Sequence, residues 1–432
     1  MKINSNYDII IAGGGPGGVA AAVAAAREGA KVLIIEQTGC LGGMGTSGLV
    51  PAWTPFSDGE NICYRGIAFE VFEKLKEKMP TVDKTKIDWV PICAEELKII
   101  YDDMLTESGA KVIFHSFVCD AESENGEIKS ITVANKAGLT KYTAKVYVDA
   151  TGDGDLAFFS GAEFQKGGEN GELQASSLCF AISNINIEAY KDIPVLNAGN
   201  HKSQIYDIIS DERFPLITDD HFCDHIINRG TVGFNAGHIW DGDSEKVEEM
   251  SELMMKGRKI AHEYKNALAD YFPDAFGESS VTATANVMGT RESRRIIGEY
   301  VFTAEDYIEK RSFDDEIGRN CYYIDIHGEQ RKNTFYKDEK DHGEFHYEKG
   351  ESHGIPYRCL VPKGFSNLLT CGRIISCDRM TYGSLRVMPT CLVTGQAAGT
   401  AASLIIKSDC RATDVDIKLL REKLIENGAY IK

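Results

Sequence analysis

Short unbroken apolar runs near both ends of the chain, with mixed patterns between them, set the expected architecture. Residues 8–12 (DIIIA) and 31–36 (KVLIIE) show no polar alternation, which predicts strands buried on both faces of a parallel sheet. The alanine-rich stretch 17–28 between them reads as a helix stopped by Gly29. Together they form one strand–helix–strand unit. Residues 37–62 are rich in Gly, Thr, Ser and Pro and read as loop. Helical spacing of apolar residues predicts helices over 67–78 and 94–108, and strands are expected over 111–118, 127–134 and 142–149. From about residue 165 the chain turns more polar and aromatic, with an amphipathic helix at about 244–270, short strands, and a charged loop over 328–353. The opening pattern returns at NLLTCG, 367–372, followed by a helix starting near Pro389, since proline suits a first helical turn. The expected fold class is α/β. A Rossmann-like nucleotide-binding domain is built from the discontinuous segments 1–165 and 356–432, and an α+β substrate or cap domain, 166–355, is inserted between them.

Composition narrows the classes of function. The 432 residues are 43% hydrophobic, ample for such a core, and the net charge of −18 argues against nucleic acid or an anionic membrane surface as partner. No apolar run reaches 18 residues, so no membrane span is expected, and the first residues carry no signal-peptide cleavage site, so a cytoplasmic protein is expected. Twelve cysteines occur with no CxxC pair. The nearest cysteine after Cys40 is Cys63, so a redox dithiol beside the first glycine loop is not expected.

Gly13, Gly15 and Gly18 fill a G-x-G-x-x-G pattern that follows a strand and opens a helix. The first glycine allows the tight turn, the second lets backbone approach a pyrophosphate, and the third lets helix and strand pack closely. Pro16 and Gly17 complete the loop, and the helix start offers free N–H groups to phosphate. Glu36, 18 residues after Gly18, stands where an acid accepts from a ribose hydroxyl, with Gln37 beside it. These features say dinucleotide, not which one. No second such motif follows another strand.

Four blocks, taken in order, resemble the glutathione-reductase-type FAD superfamily, and within it the bacterial FAD-dependent oxidoreductases distantly related to fumarate reductase flavoproteins. They are GGGPGGVAAAVAAAREGAKVLIIE, GCLGGMGTSGLV (39–50), VYVDATGDGDLAFFSGAEF (146–164) and the long stretch 355–402; MGTRESRRIIGEYVFT (288–303) is a fifth typical block. The resemblance implies bound FAD. Gly42, Gly43 and Met44 would run past its pyrophosphate and ribityl chain, Val118 would hold the adenine edge, and Ala150, Thr151 and Gly152 would close over the adenosine. Gly372 stands where relatives carry Gly-Asp, with Arg373 in place of the Asp. The second helix, from Met388 and Pro389, would aim its N–H groups at the flavin pyrimidine, and Gly395, Gly399 and Ala402 would keep one face slim for packing.

For catalysis the candidates are Arg386, just before that helix, as a carboxylate binder; Tyr357 and Arg358 at the domain junction; Arg291, Arg294 and Arg295 as a basic cluster that draws an anion; and His353 and His327 as acid–base groups. A metal is not expected, although His221, Cys223 and His225 alternate and His342 and His346 are four apart. Cys40 is open to a covalent flavin link or a redox role. The expected function is hydride transfer between FAD and a small polar or anionic organic substrate, either C=C reduction or its reverse, with a diffusible electron donor or acceptor. The alternatives are a non-catalytic flavin-carrying subunit of a larger complex, an NAD dehydrogenase without flavin, and a monooxygenase. Oligomeric state, homo-oligomer included, is open.

Overall fold

The computed structural model describes residues 2–196, 203–240, 242–328 and 345–432. Its centre is a five-stranded parallel sheet made from β1 (Ile9–Ala12), β2 (Val32–Ile35), β3 (Lys111–Ile113), β4 (Val146–Asp149) and β5 (Leu368–Thr370), in the order β5-β4-β1-β2-β3. Every neighbouring pair is parallel. The run of Ile9, Ile10 and Ile11 is fully buried because both faces of the sheet are covered, which accounts for the missing alternation. The strand read over 111–118 is two: β3 ends at Ile113, and Phe117–Glu124 belongs to a separate sheet with Glu127–Asn135, Gly138–Tyr142 and Lys2–Asn4.

Helix α1 (Pro16–Arg27) lies against the sheet, and α2 (Met388–Ser408) lies against α1. A Cβ added at Gly395 would stand 2.1 Å from the carbonyl oxygen of Gly17, and one at Gly399 would stand 2.1 Å from that of Ala21. Ser403 then donates to the Ala25 carbonyl at 3.3 Å. All three contacts advance in step by four residues, so the two helices run in the same direction, in contact along their small-residue faces. Their N-termini therefore open side by side. Helix α2 has the length and composition of a membrane span, but 94% of its most apolar stretch is buried inside the protein.

A second hydrophobic core spans residues 178–288. Its antiparallel sheet has the order Phe222–Asn228, Thr231–Ala236, Phe180–Ser183, Ser280–Thr284, and the helix Val247–Tyr271 packs on it. Phe180 stacks on Phe234 at 5.1 Å and on Tyr264 at 6.0 Å. This core is narrower than the segment 166–355. Phe302, Tyr307, Ile317, Ile324 and Ile355 pack with the first core instead, because the paired strands Glu316–Asn320 and His353–Pro356 lie under α2.

Candidate functional site

A cleft of about 400 Å³ opens along the joint N-termini of α1 and α2. Gly15 caps α1 and faces open space, with nothing within 4 Å of where its Cβ would be. Gly13 is the reverse: its φ is +93°, and a Cβ there would meet the Ala150 carbonyl oxygen at 2.4 Å. The turn thus exposes backbone N–H groups to the cleft while packing against β4. Gly43 crosses over this turn, its Cβ position 3.1 Å from the Gly15 Cα. A side chain at Gly15 would project into the open groove that an extended pyrophosphate needs, whereas one at Gly13 would clash with the neighbouring strand.

Gly13, Gly15, Pro16, Gly17, Glu36, Gln37, Gly43, Met44 and Val118 line the cleft. Ala150, Thr151, Gly152, Gly372, Arg373 and Met388 line it too. Gly18 and Gly42 lie behind the wall. Gly18 packs on the Gly13 carbonyl, and Gly42, with φ +104°, turns the loop so that its N–H donates to the Gly14 carbonyl. Glu36 is 6% exposed, and its carboxylate accepts from the Gly14 N–H at 2.7 Å and the Thr38 N–H at 2.6 Å. It therefore braces the glycine loop from inside the cleft wall. Arg373 is fixed by Asp153 at 2.7 Å and by Ser293 at 3.2 Å, so the basic residue arrives with its own acid. Asp155, also on the wall, is raised to about 6 by burial and by Asp149 and Asp153, against the pull of Arg294.

The other end of the cleft lies at the start of α2. Arg386 lines it together with Met388, Cys391 and, from the cap side, Asn286 and Thr290. One guanidinium nitrogen, Nη2, donates to the Asp325 carbonyl at 2.8 Å, whereas Nε is buried without a hydrogen-bond partner. Burial opposes ionisation of Asp325, but His327, Arg386 and Arg291 hold its carboxyl well below the usual range.

Three of the expected catalytic residues lie elsewhere. Tyr357 is 2% exposed and donates its hydroxyl to the Ala412 carbonyl, as a core tyrosine does. Arg358 pairs with Asp315 at 2.9 Å, and the guanidinium lies over the Tyr300 ring on the outer side of the short helical turn Tyr357–Leu360. His353 is fully buried; its Nε2 accepts from Asn320 Nδ2 at 3.3 Å and its Nδ1 meets the Tyr347 hydroxyl at 2.6 Å. Burial and Arg319 lower its pKa to about 3, so it is a neutral structural ring. The basic cluster divides. Arg295 pairs with Glu292, and Arg294 with Asp155 and Glu245. Arg291 pairs with no carboxylate among the described residues; it donates to the Ala175 carbonyl and Ser177 Oγ, and its Nη2 lies 3.0 Å from His221 Nε2.

Behind Arg386 the structure gathers residues that the sequence keeps 106 positions apart. His221, His238 and His327 bring ring nitrogens within 4.8 Å of one another. Asp219 faces His238 at 3.0 Å, and Asp325 faces His327 at 3.2 Å. His225 is not part of this group, Cys223 is a free thiol in the cap sheet, and His342 lies outside the described residues. Periodicity offers no signal for such a cluster, because its members come from a strand edge, a turn and a loop. Cys40 contacts Ser47 at 3.2 Å and Thr46 at 3.8 Å, in the loop that follows the first nucleotide strand.

Among solved structures, the chain is similar to p-nitrophenol 4-monooxygenase from Pseudomonas putida DLL-E4, with 10% identity, 99% of this chain and 85% of that chain covered, and a TM-score of 0.49. It is also similar to a geranylgeranyl bacteriochlorophyll reductase-like protein from Thermoplasma acidophilum, with 13% identity, coverage of 99% and 84%, and a TM-score of 0.47. A search among curated proteins finds no match. The family model described as FAD dependent oxidoreductase matches residues 8–424. With a cleft that accommodates FAD and a family match over almost the whole chain, the protein is an FAD-dependent enzyme that belongs to the FAD dependent oxidoreductase family.

Proposed function

We propose that this oxidoreductase moves a hydride between bound FAD and a small anionic organic molecule, either reducing a carbon–carbon double bond or catalysing the reverse dehydrogenation. The cofactor, when bound, supplies the two-electron chemistry, and the chain supplies orientation and charge. The observation that carries the reading is Arg386. It stands in the cleft wall beside the first turn of α2, and its buried Nε–H has no partner. A buried guanidinium N–H left open costs free energy unless a ligand completes it, and a carboxylate matches its fork. Asn286 and Thr290 add polar groups from the cap side, so a small substrate held there would be gripped from both cores. The sequence blocks that resemble fumarate reductase flavoproteins suggest an enoate. A diffusible donor or acceptor completes the electron balance.

The test is an anaerobic absorbance titration of the FAD-loaded protein with enoates, hydroxy acids and sugars. One member of the panel is expected to bleach the oxidised flavin or restore the dithionite-reduced flavin. Arg386→Ala should keep its FAD and lose about 2–5 kcal/mol of substrate interaction, some 30-fold or more in the rate of that response. A flavin indifferent to every compound, or an Arg386→Ala variant with the wild-type response, overturns the assignment.

A further inference from the structure

We propose that His221, His238 and His327 form a binding site for one divalent transition-metal ion in the cap, next to the substrate end of the cleft. The geometry carries it first. An ion bonded at about 2.1 Å to three imidazoles places the ring centroids about 4.6–5.3 Å apart for angles of about 90–109°. His327 stands 5.0 Å from each of the other two rings, inside that range, while His221 and His238 are 4.4 Å apart with their planes 14° from parallel, slightly closer than a bound ion would hold them. The closest ring nitrogens, His238 Nε2 and His327 Nδ1, are 2.8 Å apart. At that bond length they subtend about 84°, the cis angle of an octahedral or five-coordinate ion rather than a tetrahedral one.

The surroundings match what metal-bound imidazoles require. His238 presents its other nitrogen, Nδ1, to Asp219 at 3.0 Å, and His327 presents Nε2 to Asp325 at 3.2 Å. Such carboxylates fix the tautomer and aim the free lone pair of each ring inward. His221 Nε2 faces Asn235 Oδ1 at 3.3 Å and the Arg291 guanidinium at 3.0 Å, so His221 is the weakest of the three ligands and the carboxylate-backed pair His238 and His327 forms the core of the site. Side-chain exposures of 12% for His238 and 14% for His327 leave access for an ion.

Charge points the same way. Asp219 and Asp325 offset the charges of Arg291 and Arg386, so with neutral histidines the group carries no net positive charge to oppose a cation. A divalent ion would add to the pull of Arg386 on an anion, and its open coordination positions would take an oxygen of the substrate as a Lewis acid. This second role rests on the function proposed above; the ion site itself does not.

The test needs no substrate. FAD-loaded protein is stripped with EDTA, desalted, and titrated with Co²⁺, Zn²⁺, Mn²⁺ and Fe²⁺ (the last without oxygen), and bound metal is counted by elemental analysis after gel filtration. About one equivalent of at least one of these ions per chain is expected. With Co²⁺, a visible band should appear to the red of the flavin absorption. His238→Ala and His327→Ala should bind less than about a tenth of an equivalent while retaining FAD. Asp219→Asn should weaken affinity about 10- to 100-fold. It decides the matter if the alanine variants do not fold. Wild-type protein that binds none of the four ions above the level of Asp219→Asn overturns the site. That result would leave the flavin titration of the proposed reaction untouched.

Discussion

The contact between the two parallel helices allows a differential test of how FAD is held. Gly395 and Gly399 make the same approach, with each Cβ position 2.1 Å from a carbonyl oxygen of α1. Real Cβ atoms do not come closer than 3.0 Å, so either alanine must push the backbones apart by roughly 1 Å. Overpacking of this kind costs about 1–3 kcal/mol, and the gain in helix propensity from Gly to Ala returns about 1 kcal/mol. Each variant should therefore lose a similar amount, up to about 2 kcal/mol, in a urea midpoint measured on the FAD-free protein. Their effects on FAD should differ. Gly395 presses on Gly17, in the first turn of α1, where the N–H groups would meet the phosphates of bound FAD; Gly399 presses one turn deeper, on Ala21. Moving the first turn forfeits much of a helix-terminus contact worth about 1–2 kcal/mol, so Gly395→Ala should raise the FAD dissociation constant roughly tenfold. Gly399→Ala should change it less than about threefold. The assay is flavin fluorescence titration of both variants beside the urea curves. Equal FAD losses, or losses that track stability alone, would refute the placement of the phosphates at this turn.

Glu36→Ala removes both carboxylate bonds to the glycine loop, each worth about 1.5–3 kcal/mol when charged, so the variant should lose FAD on gel filtration while Glu36→Gln keeps part of it; full flavin content in the alanine variant would contradict the bracing role. Acid should destabilise the apoprotein through its buried histidines, an effect seen cleanly in Asp155→Asn, because Asp155, with a folded pKa of about 6, takes up a proton in the folded state first and offsets part of the loss. His353 is held neutral with a folded pKa of about 3, and His225 with one of about 4, against 6.5 in the unfolded chain. The unfolded state therefore takes up protons first, and stability falls as pH drops below 6.5; His353 alone accounts for about 2–3 kcal/mol by roughly pH 4.5. Urea midpoints of the Asp155→Asn protein that stay level between pH 7 and 4.5 would show that these rings are not buried neutral.

What the sequence made legible was local and periodic. The isoleucine run of β1, the glycine loop and the slim face of α2 each follow from the needs of nearby backbone, and backbone needs are written in a few consecutive residues. Tyr357, Arg358 and His353 failed for the opposite reason. Their place near a motif suggested the site, but their partners, Ala412, Asp315 and Asn320, are 55, 43 and 33 residues away. Those partners decide which way each side chain turns. The histidine cluster was invisible for the same cause. His221 was weighed with Cys223 and His225, which alternate along the cap strand. The residues it meets are His238, across a strand turn, and His327, far along the chain. Spacing reveals a metal set only when its ligands share one element.

The parallel arrangement of α1 and α2 has an electrostatic cost that is small enough to be outweighed by the ligand. Two half-charges about 9 Å apart repel by only about 0.5 kcal/mol at an effective dielectric of 20. An anionic group set against either N-terminus gains about 0.3–1 kcal/mol, and more where water is excluded. A dinucleotide that spans both starts would collect this at its pyrophosphate, and again at the flavin once reduction makes the ring anionic, a gain that offsets the repulsion between the helices. Glycine at 395 and 399 is what brings the two starts close enough for one extended molecule to use both. Gly17 and Met388, 371 positions apart along the chain, thus line one cleft.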